Sequence, residues 1–205
     1  MKPEIHRQNR LDRIMLLGME EMIGPNNASR LFSNNGLNYS DAGPTSAQEP
    51  DIFFKDLNQV QSCLEKEYGF AAGRGLAVRS GRASFKFVLH EFGQELGLTG
   101  KEFRLLPLAG RLSTGTELLA KLITQYTPQT VEQKIEGDFI LWNIEHHLDC
   151  GDLQNDSPAC QFTIGILQEA LYWFSGGKTF QVDEMLCVCH GSPFCSIRIR
   201  KKPIQ

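Results

Sequence analysis

The chain has 205 residues, 41% hydrophobic and 22% charged, the make-up of an ordinary globular protein with room for one full-sized domain or a domain and an appendage. Its net charge of −3 and pI near 6.0 give no electrostatic footprint for nucleic acid or an anionic membrane. No apolar stretch approaches the ~18–20 residues of a membrane span. The N-terminus, MKPEIHRQNRLDR, lacks the apolar core of a signal peptide, so the sequence reads as cytoplasmic.

Residues 9–23 place Leu11, Ile14, Met15, Met19 and Met22 at helical spacing, and Gly24-Pro25 breaks the run. A second short helix through Leu31 and Phe32 follows. Residues 34–52 are rich in Asn, Ser, Gly, Pro and Asp and read as a linker. The expected organisation is an N-terminal helical arm and polar linker over residues 1–50, then one domain over residues 51–205.

Residues 55–68 read as an amphipathic helix capped by Asp56, with Leu57, Val60, Cys63 and Leu64 on one face. Cys63 is then a small apolar core residue. A long helix is expected from Leu76 to Leu96, with Phe85, Val88, Leu89 and Phe92 as its stripe and Gly97 as its stop. Gly73, Gly75 and Gly81 loosen its start and belong to no phosphate-loop pattern, so they read as sites of close packing. Residues 115–127 form another helix, stopped before Pro128.

The period then changes to two. Residues 130–136 and 138–148 alternate like strands joined around Gly137, with Ile140, Trp142, Ile144 and Leu148 on one face. Residues 158–174 return to helical spacing, apolar nearly all round and therefore expected to be deeply buried, with Ser175-Gly176-Gly177 as the stop. Residues 178–189 and 194–201 are again strand-like, joined by the turn His190-Gly191-Ser192-Pro193. Helices, hairpin, helix, hairpin is the order of an α+β domain: an antiparallel sheet of about four strands packed against helices.

Of the six cysteines, five fall between residues 150 and 195. In a reducing compartment such clustering points to metal or redox chemistry more than to disulfides. The second hairpin, EMLCVCHGSPFC, offers Glu184, Cys187, Cys189, His190 and Cys195 as donors. A four-residue turn at 190–193 sets position 187 or 188 across from 195, so Cys187 and Cys195 can meet. Cys160 begins the preceding helix and can reach back to the sheet. Soft thiolates suit zinc, and four protein ligands would close a tetrahedral, structural site. Glu184 and Cys187 are three apart, which a flat strand puts on opposite faces, so a bulge is required between them. Structural zinc leads; bare core cysteines, a redox switch through Cys187 or Cys189, and catalytic zinc stay open.

The run Cys160–Lys202 resembles the 4-vinyl reductase domain, a family named after a protein of bacteriochlorophyll synthesis. The family is similar to the sensory domains of phenol- and xylene-responsive activators and, distantly, to Golgi transport-particle tethering subunits. The resemblance implies a ligand-binding fold of the NO-signalling and Golgi-transport type, often homodimeric, with an enclosed apolar pocket between helices and sheet. In the phenol-sensing members a Cys before a helix, a Glu, a Cys three residues later and a Cys eight after that hold zinc. Cys160, Glu184, Cys187 and Cys195 match; Cys189 and His190 fall outside the pattern, and Cys150 is an alternative to Cys160.

The expected function is a sensor or carrier with a structural zinc and a pocket for an aromatic or tetrapyrrole-like ligand. Trp142, Phe85, Leu89, Phe92, Tyr172 and Trp173 are its candidate lining. His90, His146 and His147 are weaker candidates for a polar contact with that ligand. With no P-loop and no DNA-reading helix in the sequence, a signal or cargo would pass to a separate protein partner. The family name suggests photosynthetic pigment assembly as a setting. Two other functions compete. A reductase of a tetrapyrrole vinyl group needs a hydride source, and no nucleotide-binding or iron–sulfur pattern is present. A protein-assembly scaffold would have its pocket filled and an apolar patch outside.

Overall fold

The computed structural model describes residues 2–35, 60–146 and 159–204. The linker expected at 34–52, the Asp56 cap, Leu57, His147, Leu148, Cys150 and Pro158 therefore lie wholly or mostly outside the described residues.

Helix α1 (Lys2–Ile23) and helix α2 (Pro25–Asn34) meet at Gly24, and Pro25 opens the second helix, where its missing N–H costs nothing. Leu16 and Met19 of α1 and Leu31 and Phe32 of α2 are buried. Helix α3 (Val60–Tyr68) turns into helix α4 (Phe70–Phe92) at Gly69, whose φ of 84° only glycine holds without strain. A short α5 (Lys101–Leu105) leads to α6 (Leu108–Tyr126).

Strands β1 (Thr130–Glu136) and β2 (Phe139–Glu145) form the first hairpin, and helix α7 (Gln161–Ser175) follows. Strand β3 (Val182–Leu186), a 3-10 turn (Val188–His190) and β4 (Cys195–Arg200) form the second hairpin. The four strands lie in the order β1-β2-β4-β3, all antiparallel. This is the expected α+β architecture.

Several boundaries differ from expectation, among them the start of α6, which lies at Leu108 rather than 115. Helix α4 starts at Phe70 rather than Leu76 because Gly73 is a packing position: a Cβ there would collide with the backbone of Leu64 and Glu65 in α3. Close helix contact outweighs the low helix propensity of glycine. The same helix ends at Phe92, and residues 93–99 form turns instead of a further helical segment. The strand expected over 178–189 is shorter, stopping at Leu186, and Cys189 sits on the 3-10 turn.

Trp142, Ile140 and Ile144 of β2 pair across with Ile197, Ile199 and Cys195 of β4, and all six are buried. Helix α6 packs against β1 and α7 against β3. The other face of the sheet is polar: Arg198 pairs with Asp183 at 3.3 Å, and Ser196 Oγ bonds Asn143 Oδ1 at 2.8 Å. Trp142 is fully buried, and its Nε1–H donates to Gln133 Oε1 at 3.2 Å. Gln133 Nε2 in turn donates to the Ser113 carbonyl at 2.9 Å, tying β1 to α6. Gln133→Leu should therefore cost about 1–3 kcal/mol in denaturant unfolding, since it strands a buried indole N–H; a neutral result would mean the indole has another acceptor.

Candidate functional site

Three sulfurs converge where α7 meets the second hairpin. Cys160 is the residue just before α7, Cys187 follows the last residue of β3, and Cys195 is the first residue of β4. All three are buried, and their sulfurs lie within 4.8 Å of one another. The register explains the meeting: Leu186 pairs with Ser196, so the next step along each strand toward the turn brings Cys187 to Cys195.

Glu184 comes beside Cys160 and Cys187 through the bulge that the spacing demanded, but its carboxylate stays outside the group of three sulfurs. Its pairing with Ile197 is followed directly by the Leu186–Ser196 pair, so Met185 is the extra residue. The Glu184 carboxylate accepts from the N–H of Cys160 at 3.0 Å and of Ala159 at 3.3 Å. An acidic group ahead of a helix N-terminus complements the unpaired donors and the dipole there. The helix has no side-chain cap of its own. Gln61 of α3 supplies a further acceptor, for the N–H of Gln161 at 3.3 Å.

Burial pushes the Glu184 carboxyl up to about 7, helped by a hydrogen bond with Cys187 and opposed by the Cys160 and Ala159 N–H groups. A cation at the site would favour the charged form and push it back down. Two backbone bonds leave lone pairs on the carboxylate for a metal. Val188 N–H donates to Cys195 Sγ at 3.3 Å, a contact that suits a thiolate. The three buried thiols are a zinc-type donor set, and the adjacent Glu184 carboxylate would have to move in to close the site as its fourth ligand. Cys189 is buried but outside this group, and His190 is exposed.

The expected pocket residues divide. Phe85, Leu89 and Trp173 line one groove of about 760 Å³ between α1, α4 and α7. Tyr172 is also on its wall and is 44% exposed, so the burial expected all round α7 stops at this residue. Trp173 packs edge-on against Phe85 and stacks on Phe103, with centroids 6.4 and 6.2 Å apart. Trp142 and Phe92 do not line this groove. They are fully buried, Trp142 under the sheet and Phe92 against Tyr126 with Arg10 over its ring at 4.3 Å. The groove thus lies among helices rather than between helices and sheet. His90 and His146 are exposed, and His90 borders a separate groove of about 630 Å³ beside α1.

Sequence reasoning missed the polar rim of the main groove. Arg79, Arg82 and Lys86 stand on one side of α4, and their spacing of three and four is the signal that would have found them. Arg82 pairs with Glu169 of α7 at 2.8 Å, and Lys86 pairs with Glu21 of α1.

No family model matches the chain, and no curated protein matches it. Solved structures do. An H-NOX protein from S. oneidensis in the Fe(II)NO ligation state aligns at TM-score 0.62 and 9% identity, covering 94% of this chain and 99% of that one. Trafficking protein particle complex subunit 3 from Naegleria fowleri, covalently bound to palmitic acid, aligns at 0.56 and 13% identity, covering 72% and 93%. The phenol-responsive sensory domain of the transcription activator PoxR, with phenol, aligns at 0.50 and 19% identity, covering 83% and 88%. At these identities the likeness is one of fold, and the chain has the α+β fold of the NO-signalling and Golgi-transport type. No helix among the described residues is long and apolar enough to cross a membrane.

Proposed function

We propose that this chain is a small-molecule-binding domain, a sensor or carrier, that takes an apolar ligand in the groove between α1, α4 and α7 and is stapled by a structural zinc. The observation that carries the reading is the groove itself: an aromatic and aliphatic floor of Phe85, Leu89 and Trp173, about 760 Å³ in volume. That size and lining suit a ligand site, typically ~300–1,000 Å³. An aromatic or tetrapyrrole-like body fits such a floor. The neighbours of this fold add support, since phenol, palmitic acid and an Fe(II)NO centre are named with them.

In this reading residues 51–205 are the binding domain of the 4-vinyl reductase type, and the arm over residues 1–50 contributes Glu21 and Met22 to one groove wall. Cys160, Glu184, Cys187 and Cys195 hold zinc remote from the groove, so the metal supports the fold and leaves no open position for substrate. A reducing cytoplasm suits the free thiols. A homodimer and a separate protein partner complete the proposal.

Titration with decanol tests it. The indole N–H resonance of Trp173 is expected to shift saturably while that of Trp142, buried under the sheet, stays put. Leu89→Asp should abolish the shift by placing a charge on the apolar floor. An unmoved Trp173 resonance at saturating decanol would sink the groove as the ligand site.

A further inference from the structure

Three cations and two acids line the main groove: Arg79, Arg82 and Lys86 against Glu21 and Glu169. Two of the cations are already matched, Arg82 by Glu169 at 2.8 Å and Lys86 by Glu21. Three minus two leaves one positive charge, and it resides on Arg79. Among the described residues no acidic side chain lies within ion-pair distance of Arg79. Its neighbours in the groove are apolar or already paired.

The groove is also polarised along its length. Arg79 and Leu89 are both wall residues on α4, ten positions apart, which is about 15 Å of helix. Arg79 and Arg82 stand toward one end. Phe85, Leu89 and Trp173 stand toward the other, where the Phe85 and Trp173 rings meet at an interplanar angle of 64°. A ligand lying along this line meets the Arg79 guanidinium at one end and the Phe85, Leu89 and Trp173 surface beyond it, with the neutralised Lys86–Glu21 pair on the rim.

From this arrangement we infer that the ligand is an apolar carboxylate, with its anionic head on Arg79 and its alkyl or aryl body along Phe85, Leu89 and Trp173. The inference rests on the groove being the ligand site. Guanidinium and carboxylate match as a planar fork on a planar acceptor pair, and the pairing is charge-assisted. A neutral ligand of the same length would leave Arg79 unmatched. A cationic ligand would meet a net positive wall.

Decanoate and decanol, titrated calorimetrically into the full chain, separate the possibilities. Decanoate is expected to bind at least about tenfold more tightly than decanol, the scale of one charge-assisted hydrogen bond. Arg79→Ala should cut decanoate binding to the level of decanol binding and leave the Tm unchanged, because the side chain is exposed. Arg79→Lys should restore part of it. Arg200→Ala removes a positive charge elsewhere, on β4, and should change nothing. Equal binding of the two probes, or an Arg79→Ala protein that keeps the decanoate preference, overturns the carboxylate while leaving the groove reading standing. Binding of neither probe overturns both. Dimerisation of the free protein that Leu89→Asp abolishes, with no probe bound, would assign the groove to a second copy and also overturn the inference.

Discussion

Replacing Cys195 with serine is expected to strip zinc from the protein and lower its Tm by about 10 °C or more. Wild type should carry about one zinc per chain by elemental analysis. Cys160 directly precedes α7, Cys187 directly follows β3 and Cys195 starts β4, so one ion would tie a helix to both strands of a hairpin. A site assembled from three elements exists only in the folded chain, and its binding energy is therefore folding energy. A serine hydroxyl is a poor substitute for a thiolate. Losing the ion and leaving the buried Cys160 and Cys187 beside a half-buried Glu184 should cost about 3–5 kcal/mol, and a chain of this length loses ~2–4 °C per kcal/mol. Cys189→Ser is the matched control. Cys189 is also buried and two residues from Cys187, yet outside the cluster, so the zinc content of this variant should stay near one. Glu184→Gln should fall between: the amide retains one acceptor for the N–H groups ahead of α7 but loses the charge that favours a dication. Iron in place of zinc, or a Cys195→Ser protein with wild-type Tm, would refute the staple.

The strands were legible because alternation has only two faces to choose between. Ile140, Trp142 and Ile144 point one way in the sequence, and all three are buried in the structure. The cluster was legible for a related reason. A short turn forces the residues on either side of it together, so the sequence alone pairs Cys187 with Cys195. Glu184 then required a bulge, and the register slips between Glu184 and Leu186. What the sequence hid was long-range. The start of α4 depends on Gly73 lying against α3, which no local window reveals. Glu184 serves the start of α7, 24 positions earlier in the chain, as well as the sulfur cluster. Hydrophobic character alone did not separate groove from core: Trp173 and Trp142 look equivalent as aromatic residues in apolar runs, and only packing places one on an open wall and the other under the sheet.

Alanine at Gly165 should destabilise the protein by about 3 kcal/mol, although glycine-to-alanine changes inside a helix normally stabilise it by up to about 1 kcal/mol. The sign reverses because α4 and α7 cross at bare backbone. A Cβ on Gly165 would collide with the Val78 carbonyl oxygen and come within 2.9 Å of the Val78 carbonyl carbon and 3.0 Å of Arg82 N. A Cβ on Gly81 would meet the Phe162 carbonyl group and lie 3.1 Å from Ile166 N. These are main-chain atoms with no flexible end to swing aside, so the helices must separate and the loss exceeds simple overpacking at one side chain. Gly75 supplies the opposite result on the same α4 helix. Its Cβ would meet nothing nearer than Arg79 Nη2 at 3.9 Å, so Gly75→Ala should be neutral or stabilising by up to about 1 kcal/mol. Denaturant unfolding of the three single mutants checks both signs at once. The consequence extends to binding, because Phe85 and Trp173 face each other across this same helix pair at 6.4 Å. Helices forced apart at Gly81 and Gly165 would widen the groove floor, so whatever decanol affinity wild type has should drop in Gly165→Ala and hold in Gly75→Ala. A Gly165→Ala protein with wild-type stability would mean that α4 and α7 do not cross this closely.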